Sequence, residues 1–84
     1  MKTQYKYIYF VNVPSKATMK TSVWYCHSAE GGAILGQVRW HAPWRQYCFF
    51  INAAIFNKGC LEDVCDFIEQ LKTERAESRA RGTA

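Results

Sequence analysis

The hydrophobic pattern changes its period once, near Asn57, and this change constrains the fold more than any other feature of the sequence. Before Asn57, apolar and polar residues alternate in short runs separated by turn residues, which is typical of β-strands. After Asn57, apolar residues recur every three or four positions, as on an amphipathic helix. The sequence therefore predicts an α+β domain in which an antiparallel sheet of about four strands packs against one C-terminal helix.

Four segments carry the strand pattern, and short connections separate the last three. The predicted strands span residues 4–13, 21–27, 34–40 and 45–52. Short connections favour neighbouring antiparallel strands, so we predict a meander. Gly31 and Gly32 supply positive φ for the turn after the second strand. Gly36, inside the third strand, indicates a bulge or the close approach of another backbone.

The first predicted strand is rich in tyrosine. Its alternation places Tyr5, Tyr7 and Tyr9 on one face and Ile8 and Phe10 on the other. A row of rings on a strand face usually packs against another surface. A chain of 84 residues builds only a small core. We therefore expect a homo-oligomer in which a second subunit covers such a face.

The helix has a clear predicted start. Asn57 is the expected N-cap, and Phe56 and Leu61 have the spacing of a hydrophobic staple. The predicted core stripe is Leu61, Val64, Cys65, Ile68 and Leu71, and Phe67 widens it. We expect Ile68 to matter more for stability than Leu71, because residues 73–84 lack large apolar side chains and form a charged, frayed tail. The sequence thus predicts one domain over residues 1–72, followed by that tail.

The positive charge of the chain is concentrated before the helix. The formal net charge is +4, and residues 1–57 carry six basic residues against Glu30 alone. Residues 58–84 carry five basic and six acidic residues. A basic sheet half attracts phosphate-bearing ligands or nucleic acid, although it also favours solubility.

The cysteines and histidines do not have the spacing of a known metal or redox site. The four cysteines are Cys26, Cys48, Cys60 and Cys65, and none forms a C-x-x-C pair. Together with His27 and His41 they match no familiar metal pattern, so we expect neither a metal nor a cofactor. No secretion signal or membrane-spanning apolar run is present in the sequence, which predicts a cytoplasmic protein with reduced thiols and no membrane contact. Glu30 is the one acidic residue before the helix, so general acid–base catalysis has few candidates and we predict no enzyme.

The densest functional cluster surrounds the turn between the third and fourth predicted strands. The predicted ligand-binding residues are Arg39, Trp40, Trp44, Arg45 and Tyr47. In the predicted hairpin, Arg39 lies near Gln46 and Trp40 near Arg45. Arginine binds phosphate through paired hydrogen bonds, and indole stacks on bases, so the cluster suits a nucleotide. The alternative is that one tryptophan belongs to the core and an arginine of the cluster stacks on the other as a cation–π pair.

Two motifs give the chain a resemblance to known sequences. The first is W-x3-W-R-Q-Y-x-F-F from Trp40 to Phe50, and the second is F-N-x2-C-L-x-D from Phe56 to Asp63. Together they resemble a group of small, mostly uncharacterised proteins of phages and prophages. The resemblance covers residues 35–71 and leaves the first 20 residues without a counterpart. It implies a phage-like genomic setting and a compact strand-plus-helix fold, but no activity and no ligand.

The leading functional hypothesis combines this resemblance with the Trp-Arg cluster. Small phage proteins often inhibit host defence, by analogy at the level of the group. We therefore expect a non-enzymatic accessory or anti-defence protein of the host cytoplasm. It would sequester a small nucleotide-like signal or block a host defence protein. The alternatives are a small nucleic-acid-binding module and a structural or interaction subunit.

Overall fold

The computed structural model describes residues 1–14, 21–52 and 54–81, and it confirms the predicted α+β architecture. One antiparallel sheet has the strand order β1-β2-β3-β4. The strands are β1 (Ile8–Val13), β2 (Val23–Ser28), β3 (Ile34–His41) and β4 (Gln46–Ile51). A single helix, α1 (Lys58–Arg81), packs across one face of this meander.

The core lies between α1 and the sheet. Alternate residues of each strand point toward the helix, and the buried set is Ile8, Phe10, Cys26, Val38, Tyr47, Cys60, Val64, Phe67 and Leu71. Phe67 is at its centre, fully buried and stacked on Phe10 with 3.9 Å between ring centroids. Trp24 meets the same ring edge-on at 5.1 Å. Large rings thus fill much of the core of a short chain.

The start of the helix confirms the predicted cap. The side-chain oxygen of Asn57 accepts a hydrogen bond of 2.8 Å from the backbone N–H of Cys60. This bond satisfies one of the amides that the first helical turn leaves without a partner. The predicted staple does not form as expected, because Leu61 is half exposed and Phe56 instead packs against Phe49 and the core.

The buried stripe of α1 differs from the prediction by a rotation of the helix. Cys60, Val64, Phe67 and Leu71 face the sheet, at spacings of four, three and four residues. The prediction that Leu61 and Cys65 belong to the stripe is wrong, since both are exposed. Either set satisfies a helical period, and the observed rotation buries the larger Phe67 ring.

The depth order and length of the helix also differ from expectation. Leu71 is 2% exposed, whereas Ile68 is only partly buried, so Leu71 is the deeper residue. Residues 73–81, predicted as a frayed tail, continue the helix to Arg81. Their alanine, glutamate and arginine residues are good helix formers, which accounts for the continuation. Residues 82–84 lie outside the described part of the chain.

The N-terminal segment bends instead of extending β1. The strand starts at Ile8, and the chain before it folds back, with Gln4 bridging to Tyr9. The Tyr5 hydroxyl therefore reaches the helix, where it donates a 2.8 Å hydrogen bond to Asp66. Burial, and then the Asp66 carboxylate, raise the pKa of Tyr5 well above its usual value. The predicted row of three tyrosines is thus wrong: Tyr5 faces α1, Tyr7 is exposed and Tyr9 stacks on His27.

The glycines fulfil the predicted functions. Gly31 and Gly32 adopt positive φ in the turn after β2. The pairing of β2 with β3 shifts between Cys26 and His27, opposite the segment that contains Gly36. A Cβ atom on Gly36 would lie 2.6 Å from the backbone oxygen of Phe50. Both the predicted bulge and the predicted close approach are therefore present.

Candidate functional site

A cleft of about 400 Å³ lies between the β3–β4 turn and the C-terminal half of α1. It is lined by Trp40, Trp44, Arg45, Gln46, Tyr47, Ile68, Lys72, Arg75 and Ala76. The volume falls in the range of about 300–1,000 Å³ that is usual for small-molecule sites. Residues of the β3–β4 hairpin and of α1 thus meet at one concave surface.

The turn is built so that its side chains project over the cleft. Ala42–Trp44 forms one turn of 3₁₀ helix with a proline near its start, where φ is already suitable. Arg45 closes the turn in the left-handed conformation, with φ of 53°, and its N–H donates to the carbonyl of Ala42. The indole of Trp44 is 66% exposed and is met edge-on by His41 at 4.9 Å. An indole supported in this way offers a free face to a ligand.

The floor of the cleft consists of paired aromatic residues. Trp40 and Tyr47 are cross-strand partners, and their rings meet edge-to-face at 5.4 Å. The guanidinium of Arg75 lies over the Trp40 ring, 4.2 Å from its centroid. A cation–π contact at such a partly exposed site is worth about 0.5–1 kcal/mol. The floor thus combines an aromatic pair with a cation that contacts it directly.

Positive charge dominates the cleft. Three cationic side chains line it, namely Arg45, Lys72 and Arg75, and none of its described lining residues is acidic. The carboxylates Asp66, Glu69, Glu74 and Glu77 instead line a separate depression on α1. The ion pair found in the described part of the chain, Lys58 with Glu62, is at the far end of the helix. The cleft is thus suited to an anion.

Four of the five predicted site residues surround this cleft. Trp40, Trp44, Arg45 and Tyr47 line it together, whereas Arg39 lies on the opposite face of the sheet. There its guanidinium covers the Phe50 ring at 3.7 Å. Arg39 does not share a surface with the other four, because residues 39 and 40 of one strand point to opposite faces.

The register of the hairpin explains the error. The structure pairs His41 with Gln46, Trp40 with Tyr47, and Arg39 with Cys48. The predicted neighbours, Arg39 with Gln46 and Trp40 with Arg45, are two residues out of register. The 3₁₀ turn and Arg45 together consume four residues, so the fourth strand starts at Gln46 rather than at Arg45.

Sequence reasoning missed the contribution of the helix. Lys72 and Arg75 complete the cleft, and the arginine that stacks on Trp40 is Arg75 and not a member of the turn. The spacing of Ile68, Lys72 and Arg75 places them on one side of a helix, so the signal was present. It was hidden because residues 73–84 were expected to fray.

The cysteines and histidines of the described residues do not gather into a metal site or a reactive-thiol site. Cys26 is fully buried on the helix side of the sheet, and its neighbour His27 therefore points to the other side. All four cysteines are free thiols. Burial, and then the nearby Cys60, raise the pKa of Cys26 to about 12, which keeps that thiol protonated at neutral pH. In the part of the chain that the structure describes, no group of three or more metal-ligating residues is close enough to hold an ion.

Comparison with known proteins gives one decisive relative. The chain is 33% identical over 73 residues to an uncharacterized 9.3 kDa protein of Acholeplasma phage L2, and the match covers 83% of this chain and 90% of the phage protein. The chain belongs to the family of this phage protein. No protein-family model and no solved structure matches this chain.

Membership of this phage family confirms the predicted resemblance to small phage proteins. The match is wider than the expected 35–71, because it spans 83% of the chain and so includes part of the N-terminal 20 residues. The name of the phage protein mentions no ligand. The lining of the cleft is therefore the basis for the function proposed below. Among the described residues, no helix is both long and apolar enough to cross a membrane.

Proposed function

We propose that the protein is a non-enzymatic phage accessory protein that binds a small nucleotide-like anion in the cleft and sequesters it. The observation that carries this proposal is the convergence of Arg45, Lys72 and Arg75 with the exposed indole of Trp44 around one concave surface. Phosphate is recognised by arginine and lysine, and a base by an aromatic face. The cleft offers both within the dimensions of one small ligand.

Each group has a distinct task in the proposed complex. Trp44 stacks on the base, an interaction worth about 1–3 kcal/mol per base. Arg45 and Lys72, from opposite walls, bind the phosphate. Arg75 fixes Trp40 in the floor and adds to the positive potential without having to move.

The backbone conformation at residue 45 suggests that arginine is present there for a function. Among the described residues, Arg45 is the one residue other than glycine with positive φ. A left-handed conformation costs a non-glycine residue about 1–2 kcal/mol, and glycine would occupy this position without strain. Strain at an exposed arginine that adds nothing to the core points to binding rather than to stability.

The composition of the cleft supports binding without turnover. Its described lining contains no histidine, cysteine or carboxylate, the groups that most often transfer protons near neutral pH. A protein that only sequesters its ligand acts in proportion to its own concentration. In an infected cell the bound molecule would be a nucleotide signal of host defence, and the same basic surface could instead block a host defence protein.

A nucleic-acid-binding function is the second reading of the same positive charge. The three cations of the cleft cluster at one point instead of following a track along the surface. A strand of nucleic acid contacts several successive phosphates, and its affinity falls steeply with salt. A single nucleotide in the cleft should lose much less affinity over the same range.

The decisive experiment is calorimetric titration of the full chain with a panel of mononucleotides, dinucleotides and cyclic nucleotides. We expect one panel member to bind with one ligand per chain. Arg45→Ala should weaken that binding about 10- to 100-fold, because a charge-assisted hydrogen bond contributes about 1.5–3 kcal/mol. Arg39→Ala is the matched control, since it removes the same side chain from the opposite face and should leave affinity unchanged.

A second matched pair tests the helix wall. Lys72→Ala should weaken binding, whereas Lys58→Ala, at the other end of α1, should not. Failure of every panel member to bind would refute the nucleotide proposal. A steep salt slope with an oligonucleotide, reduced by about one unit in Arg45→Ala, would establish the nucleic-acid alternative.

A further inference from the structure

The sheet has a second face, which no described element covers. It points away from α1, because residues next to the buried ones in each strand alternate to this side. The residues at its centre are Tyr9, Val11, Tyr25, His27, Gln37, Arg39, Cys48 and Phe50. Val11 is 44% exposed and Tyr25 is 37% exposed. An exposed surface rich in aromatic and apolar side chains is typical of an interface.

The side chains of this open face already form an ordered layer. Tyr9 and His27 stack in parallel with 5.1 Å between centroids, and Tyr25 meets His27 edge-on. Arg39 lies flat over Phe50 at 3.7 Å. Contacts between neighbouring rings reduce the number of side chains that a partner would have to immobilise.

The low charge of the open face favours a second copy of the chain over nucleic acid as its partner. Among the described strand residues on this side, Arg39 alone carries a permanent charge, and its guanidinium already covers a ring. Nucleic acid requires several free cations along its path. A second copy of the same face requires only that like charges do not oppose each other, and a nearly neutral face meets that condition.

The two depressions on the molecular surface are less suited to self-association. The cleft is lined by three cations, and the depression on α1 by four carboxylates. In a two-fold dimer each patch meets itself, so a patch of one sign would place like charges together. The open sheet face is the broad apolar surface without this conflict.

The area of the open face determines how two copies would have to pack. Four strands about 4.8 Å apart and six to eight residues long give a footprint of about 400–500 Å², before the relief of the side chains is added. A dimer of standard size hides about 800 Å² of accessible surface on each partner. The whole face has to take part, which means two sheets packed about 10 Å apart.

We propose that the protein forms a two-fold homodimer in which the open sheet faces of two copies pack against each other. The helices lie on the outside of this dimer, and both clefts stay accessible. The proposal is independent of what the clefts bind.

Sedimentation equilibrium of the full chain tests the dimer directly. We expect a mass of about 19 kDa, twice the 9.7 kDa of one chain. The mass should persist in high salt, because the interface is apolar. Tyr25→Lys places two extra cations near the two-fold axis and should raise the dissociation constant on the order of 100-fold. Leu61→Lys is the matched control, since it adds the same charge at an exposed apolar residue of α1 and should leave the dimer intact.

Each outcome decides the proposal. A parent protein that sediments as a monomer overturns it, as does a dimer that survives Tyr25→Lys or dissociates with Leu61→Lys. Circular dichroism establishes that the variants are folded. If Tyr25→Lys does not fold, Val11→Lys places the charge on the edge strand of the same face and should give the monomer instead.

Discussion

The two faces of the sheet use aromatic residues in opposite ways. On the helix side, Phe67 and Phe10 stack on each other and are buried, and the partly buried Trp24 meets Phe67 edge-on. On the open side, Tyr9, His27 and Phe50 stack with one another or with Arg39 but remain partly exposed. The rings of the helix side stabilise the fold through their burial. The rings of the open side stay accessible to a partner such as the proposed second copy.

This difference shows how a chain of 84 residues divides its apolar surface. A small domain buries a limited fraction of its surface, so one helix can cover only one side of the sheet. The cleft lies at the border, where Trp40 and Tyr47 belong to the covered side and Trp44 extends beyond it. The core, the open face and the rim of the cleft therefore differ in most of their residues, so that stability, the proposed association and the proposed ligand binding can be tested by separate substitutions.

The largest expected effect contrasts one ring from each face. Phe67→Ala should lower the free energy of unfolding by about 3–5 kcal/mol, because it empties the centre of the core. Phe50→Ala, the same substitution on the open face, should cost the dissociated chain about 1 kcal/mol, because Phe50 is only partly buried there. Urea denaturation of both variants measures the two losses, at a protein concentration low enough for the proposed dimer to dissociate. Should Phe67→Ala fail to fold, Phe67→Leu is expected to show the same order, and equal losses from the two faces would contradict the comparison.

On α1, the buried Leu71 and the partly buried Ile68 lie on either side of the boundary between the core and the cleft. Leu71→Ala should cost about 2–5 kcal/mol, and Ile68→Ala clearly less, because Leu71 is 2% exposed whereas Ile68 borders the cleft. This reverses the order expected from the sequence. Thermal melts of the two variants decide it, and a lower melting temperature for Ile68→Ala than for Leu71→Ala would restore the original order.

The fold was predictable because its signals are local. Alternation, turn glycines and the Asn57 cap each specify one element, and antiparallel neighbours follow from short connections. The rotation of α1 was not predictable in this way. Stripes through Leu61 or through Cys60 both repeat with a helical period, and the packing of Phe67 on Phe10 chooses between them.

The candidate site was predictable only in part, for a similar reason. The turn residues Trp40, Trp44, Arg45 and Tyr47 stand close together in the sequence, so their proximity is a local property. The assignment of Arg39 to the same surface depended on the hairpin register, which the conformation of the turn sets. Lys72 and Arg75 reach the cleft through tertiary packing of the helix. Their helical spacing shows that they share one side of α1, but it does not show that this side faces the cleft.

A smaller effect concerns the one glycine that a neighbouring strand approaches closely. Gly36→Ala should destabilise the protein by about 1–3 kcal/mol, since its Cβ would lie 2.6 Å from the Phe50 oxygen and 2.8 Å from the Phe49 ring. Gly59→Ala on α1 is the control, because its Cβ meets only an Asn57 oxygen at 3.3 Å. Denaturation midpoints of the two variants provide the measurement. A stabilised Gly36→Ala protein would show that β3 and β4 are spaced more widely than described.

The covered face should also make stability sensitive to alkali. Burial raises the pKa of Cys26 from 9.0 to about 12, so the folded state holds this proton more tightly than the unfolded state does. This contribution is fully present below pH 9.0 and is lost as pH rises toward 12. The loss should be on the order of 1 kcal/mol by about pH 10, with Tyr5 acting in the same direction. A pH series of urea melts tests it, and Cys26→Ala should show a shallower alkaline slope than the parent.

The smallest predicted effect is a gain, at the border between the two faces. Arg45→Gly should raise the free energy of unfolding by about 1 kcal/mol, because glycine adopts φ of 53° without the strain that arginine bears. The greater freedom of glycine in the unfolded chain offsets part of this relief, so the gain stays small. Arg45→Ala keeps the strain and should not be stabilised, which makes it the matched control. If the cleft binds its proposed ligand through the guanidinium, both variants lose affinity equally while only one gains stability. Equal stability of the two variants would mean that the turn imposes no strain at Arg45, and the presence of arginine there would then no longer argue for a function.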